Sequence, residues 1–84
     1  MPTYLVIHTQ LQAASGASSK VKAAMTDDAK WLYSWVQMNK EGNPEKIYCK
    51  WEATNPEAIR KVLAKVPELP VYGIYPMSEI DPTK

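Results

Sequence analysis

Residues 31–53, WLYSWVQM-NKEGNPE-KIYCKWEA, decide how the rest of the chain is read. Two runs rich in aromatic and β-branched residues flank a polar bridge that contains Gly42 and Pro44, and all three tryptophans lie in those runs. Such residues suit a pleated, half-buried surface, so the segment predicts a β-hairpin. Strict alternation puts Trp31, Tyr33 and Trp35 on one side of the first strand and Leu32, Val36 and Met38 on the other. Both sides are therefore apolar. Helices in so short a chain cover one face of a sheet, and the second face then calls for a second cover.

Upstream, TYLVIHT at residues 3–9 reads as a first strand, with Leu5 and Ile7 on one face and Tyr4, Val6 and His8 on the other. Residues 10–19, QLQAASGASS, form a loop running into a helix, with Ser15 or Ser18 as its cap. Ala17, Val21, Ala24 and Met25 make a thin apolar stripe at helical spacing. Asp27 and Asp28 are unfavourable at a helix C-terminus, so the helix should end near them. Downstream, Asn55-Pro56-Glu57 is an N-cap, a first-position proline and a dipole-matched carboxylate. Ile59, Val62, Leu63 and Val66 follow as one apolar stripe, Glu57 and Lys61 pair on the exposed side, and Pro67 stops the helix. Residues 70–80, PVYGIYPMSEI, give a last strand that Gly73 and Pro76 confine to a sheet edge.

The order strand, helix, strand, strand, helix, strand is that of an α+β, ferredoxin-like βαββαβ domain. It predicts a four-stranded antiparallel sheet of order 4-1-3-2 with two helices on one face. Its first hairpin strand lies at an edge yet is apolar on both faces, which invites association. Two copies stacking their open faces, a dimeric α+β barrel, would cover it, with Trp31, Tyr33 and Trp35 or the opposite set at the interface. The alternative is a monomer whose aromatics fold under its own loops.

Composition narrows the function classes. At 84 residues, one domain spanning 1–84 is expected, with a core that gains from a partner. Ten basic and nine acidic residues, without a run of either sign, provide no basic stripe for nucleic acid. The single cysteine, Cys49, rules out an internal disulfide and fits a reducing, cytoplasmic setting. The apolar run at residues 4–7 is too short to span a membrane.

WLYSWV, KIYCKWEATNPEAIRK and the closing EIDPTK resemble a small family of ferredoxin-like proteins that includes nickel-binding members. The tyrosine-bearing first strand after Met1-Pro2 and the Ile-Tyr-Cys core of the third strand are also similar, so the resemblance covers nearly the whole chain. It implies a dimeric ferredoxin-like fold more than any activity, and leaves the cofactor open with nickel as a candidate. Relatives tend to carry a histidine where this chain has Tyr33, and charged residues where it has Ile7 and His8; the segment between Gln10 and Lys30 is shorter. If the family's metal site uses that histidine, this chain has lost a ligand.

His8 is the sole histidine and the candidate functional group, expected to face the dimer cavity beside the start of the third strand. It is also the candidate metal ligand, although His8, Cys49, Glu52, Glu79 and Asp81 lack the spacings of a metal site. Tyr4, Tyr33 and Tyr48 join His8 as candidate cavity-lining residues, since aromatic walls with polar tips suit a small flat ligand. Cys49 alternates with Ile47 and Trp51 and should face the helices, so a Cys49–His8 catalytic pair is rejected. Residues 14–19 lack the lysine and glycine spacing of a phosphate loop. The reading is a soluble homodimeric domain that takes a small ligand or a transition metal between its sheets. The alternatives are a cofactor-free enzyme of the same barrel type, a monooxygenase or isomerase with His8 as acid or base, and an interaction module without ligand.

Overall fold

The computed structural model describes residues 1–9 and 16–83. Its elements are β1 (Thr3–His8), α1 (Ala17–Ala24), β2 (Ala29–Met38), β3 (Pro44–Ala53), α2 (Pro56–Leu63) and β4 (Gly73–Met77). The strands form one antiparallel sheet of order β2-β3-β1-β4, the expected 4-1-3-2 arrangement read from its other edge. The fold is α+β and ferredoxin-like, with β2 and β4 at the edges and Pro76 on an edge strand as expected.

Alternation in β1 holds: Tyr4, Val6 and His8 are buried, while Thr3, Leu5 and Ile7 are partly covered. Register carries the same two faces across the sheet. Tyr4 lies beside Trp51, Val6 beside Cys49 and His8 beside Ile47, on the side covered by the helices. Leu5 lies beside Lys50 and Tyr75, and Ile7 beside Tyr48 and Gly73, on the open side.

Alternation fails in β2, and this corrects the expected grouping of Trp31, Tyr33 and Trp35. Trp31 pairs with Trp51 and Tyr33 with Lys50, so Leu32 is the extra residue of a β-bulge. After the bulge the phase is reversed. Trp31 packs on the helix side, whereas Tyr33 and Trp35 point to the open face and Ser34 and Val36 to the helices. A polar side chain thereby enters the covered side, and its hydroxyl is fully used: Trp31 Nε1 donates to Ser34 Oγ at 2.8 Å, and Ser34 Oγ donates to Cys49 Sγ at 3.0 Å.

The hairpin turn is built by Asn39, whose side-chain oxygen accepts from the backbone N–H of Glu41 at 3.0 Å and of Asn43 at 2.9 Å. Gly42 supplies the left-handed residue (φ 80°) that closes it. In α2, Asn55 accepts from the N–H of Ala58 at 2.9 Å, Pro56 takes the first position, and Ile59, Val62 and Leu63 are buried, all as expected. The surface pair is Glu57 with Arg60 at 3.7 Å, in place of Glu57 with Lys61. Helix α1 is capped by Gly16 (φ 80°) with no side-chain bond, and Ser18 lies inside the helix. Ser15, the other expected cap, lies outside the described residues, as do the rest of residues 10–15 and Lys84. The helix ends at Ala24, a turn before the aspartates, and β4 is shorter than residues 70–80.

The core joins both helices to the inner sheet face, with Trp51, Ile59, His8, Val6, Val62 and Val66 as its largest fully buried side chains. Fully burying an aliphatic side chain of this size contributes about 1.5–3 kcal/mol. No helix among the described residues is long and apolar enough to cross a membrane.

Candidate functional site

The open sheet face is the candidate site, because it gathers aromatic side chains that the described residues leave about half exposed. Tyr33 and Trp35 of β2 are 46% and 54% exposed, and Tyr75 and Met77 of β4 are 43% and 47% exposed. Between these edges run Leu5 and Ile7 of β1 and Tyr48 and Lys50 of β3. Tyr33 and Trp35 meet edge to face, with centroids 4.8 Å apart and planes at 87°, a geometry that aligns a ring edge with a ring face. Tyr75 lies over Gly73, its ring occupying the space a β-carbon would need. That close approach explains the glycine in an edge strand.

One charged group is set into this aromatic floor. The Lys50 ammonium lies 5.4 Å from the Tyr33 ring centroid and pairs with the Glu79 carboxylate. The bond to Glu79 first, and then Tyr33, hold Lys50 above the ordinary lysine range, so it is a fixed cation at neutral pH. Tyr48 donates its hydroxyl to Gln37 Oε1 at 2.6 Å, which orients the phenol along the face. A groove of about 330 Å³ runs between Leu5, Tyr33, Trp35, Lys50, Met77 and Glu79. Its chemistry is that of a flat apolar surface with one cation in its floor and one carboxylate at its rim.

The four residues singled out in the sequence are divided between the two sides of the sheet. Tyr33 and Tyr48 lie on the open face, whereas Tyr4 and His8 point to the helices. His8 therefore does not face the open side, which corrects the expected orientation. It is 1% exposed, and its Nδ1 lies 3.0 Å from the Pro70 carbonyl oxygen. A carbonyl only accepts, so Nδ1 carries the proton. Burial, opposed by this bond, moves the imidazole below its ordinary range and keeps it neutral at pH 7. Cys49 is buried on the same side, and burial pushes its thiol up against the opposing hydrogen bond from Ser34. The thiolate is disfavoured there, in keeping with the rejection of a Cys49–His8 pair. Lys50 is the open-face residue that sequence reasoning misses; its signal is its place between Tyr48 and Glu52 on alternate positions.

Comparison with known families assigns the chain. The profile of the family described as nickel responsive protein SCO4226-like matches residues 2–77. The chain belongs to this SCO4226-like family. No curated protein and no solved structure shows significant similarity to it. The family name raises nickel directly, and the donors of this SCO4226-like chain fit a nickel centre poorly. Among the described residues, no three His, Cys, Asp or Glu side chains are grouped to hold a metal ion. Nickel favours imidazole and other nitrogen or sulfur donors. The one histidine and the one cysteine are both buried behind the sheet, so neither imidazole nor thiolate reaches the open face.

Proposed function

We propose that this SCO4226-like protein is a homodimer in which two open sheet faces stack about a two-fold axis, enclosing a cavity that takes a small, flat organic ligand. The observation that carries the reading is the uncovered aromatic face formed by Tyr33, Trp35, Tyr48, Tyr75 and Met77. Monomeric soluble proteins rarely expose so contiguous an apolar surface. The same face holds Lys46 near one end of β3, Glu52 near the other, and the Lys50–Glu79 pair, charges of both signs that a two-fold arrangement can pair across copies. Of the two ligand classes, an organic molecule is favoured over nickel. Ring stacking on Tyr33 and Trp35 and a charge contact with Lys50 are available there, whereas imidazole and thiolate donors are not.

Sedimentation equilibrium at micromolar concentration tests the assembly. A dimer is expected, and a well-folded monomer across that range would remove both the interface and the cavity. Calorimetric titration with nickel chloride tests the ligand class. Little heat and an unmoved melting temperature are expected; stoichiometric tight binding would replace the organic ligand by the metal.

A further inference from the structure

The groove of the open face holds one ion pair whose two members are anchored very differently. Lys50 belongs to β3, an inner strand of the sheet, and its side chain is only 19% exposed. Register fixes it between Leu5 of β1 and Tyr33 of β2. Its partner Glu79 lies two residues beyond the end of β4, with its side chain 65% exposed, and the next residue, Ile80, stands almost wholly in solvent. The cation is thus part of the sheet, whereas the carboxylate is brought to it by a short segment outside the strands. Such a pair is held weakly, because water competes for the exposed member. Leu5, Trp35 and Met77 line the groove around the pair, and Lys50 and Glu79 are the only charged side chains on its wall among the described residues. A ligand ring that covers Lys50 must also bring a negative charge, since an unpaired buried cation is costly.

We infer that the groove takes a planar aromatic carboxylate, whose carboxylate replaces that of Glu79 on Lys50 while its ring lies against Leu5, Trp35 and Met77. The inference rests on the open-face site proposed above and specifies its ligand class. Glu79 is then a built-in competitor. It satisfies Lys50 when no ligand is bound and yields to a molecule that carries the same group on a rigid apolar ring. The advantage over Glu79 comes from the ring, which buries apolar area that a glutamate side chain does not. The advantage over an uncharged ligand comes from Lys50.

2-Naphthoate and 2-naphthamide, alike in shape and differing in charge, probe the groove in the full chain by calorimetric titration and NOE spectroscopy. Naphthoate is expected to give NOEs to Trp35 and Met77. It is also expected to bind at least about threefold more tightly than the amide, the value of one partly exposed charge contact. Lys50→Met is expected to remove that preference, and Glu79→Gln to raise it about twofold or more, because the competitor has lost its charge. Equal affinity of the two compounds would overturn the inference and leave an open-face site for uncharged flat molecules. Absence of binding by both would remove that site as well. A preference that survives in folded Lys50→Met, or that does not rise in Glu79→Gln, would also overturn the inference. Glu79→Gln alters only an exposed side chain, so the test stays decisive even if Lys50→Met does not fold.

Discussion

The two faces of the sheet are built from the same strands and have similar aromatic content, yet they meet different fates. On the helix side, Tyr4, Trp51 and Val6 are almost wholly buried; on the open side, Tyr33, Trp35 and Tyr75 remain about half exposed. The difference lies in what the two helices can reach. Each is eight residues long, and both share one core with the inner face. Burial on that face stabilises the single chain, whereas apolar area left half exposed on the other would be buried only in the proposed assembly. Substitutions on the two faces should therefore separate folding from association.

The largest effect is expected on the helix side. Trp51→Ala should cost about 3–5 kcal/mol, read by denaturant unfolding, because it leaves a cavity beneath both helices. Trp35→Lys on the open side should leave the melting profile of the monomer nearly intact and shift the sedimentation profile to a single copy. A large loss of fold in Trp35→Lys would mean that the open face contributes to the monomer after all, and the contrast would fail. Acid should sharpen the same contrast. His8 is held neutral, below its ordinary range, so the unfolded chain binds the proton first as pH falls. Stability is then unaffected well above about pH 6.5 and declines as pH falls from there toward the lower native value. Thermal melts between pH 7 and 5 should show that decline, and His8→Gln should flatten it.

Asn55→Ala tests a local signal beneath the packing and should cost about 1 kcal/mol through loss of the α2 cap. The smallest effect is expected from deleting Leu32. Because it is the extra residue between the Trp31–Trp51 and Tyr33–Lys50 pairs, its removal restores a regular ladder and leaves every other side chain on its present face. The deletion should change stability by less than about 1 kcal/mol, near the low end of what single changes do. Near-ultraviolet circular dichroism should keep its tryptophan bands. Collapse of those bands would show that the bulge is required for the packing of Trp31.

Much of the fold was legible because its signals are local. The Asn55-Pro56-Glu57 start of α2, the alternation of β1 and the edge placement of Pro76 each follow from backbone geometry within a few residues. The bulge at Leu32 was not legible. Nothing in WLYSW marks an unpaired residue, and a one-residue slip exchanges the two faces of everything that follows. The same slip is what separates Trp31 from Tyr33 and Trp35, which strict alternation groups together. His8 is a different case: its alternation with Tyr4 and Val6 ties it to whichever side the helices take, and no local pattern in β1 says which side that is.

Sequence alone determined the element order, the antiparallel hairpin, the sheet order and the excess of apolar surface over what two short helices can cover. Those properties depend on periodicity and turn chemistry, which act over neighbouring residues. Tertiary structure decided which side of the sheet the helices took, and therefore that His8 and Cys49 are enclosed while Lys50 and its partner Glu79 stand on the open face. Pairing register and helix packing act between residues far apart in the chain, and no local pattern encodes where an extra strand residue will be absorbed.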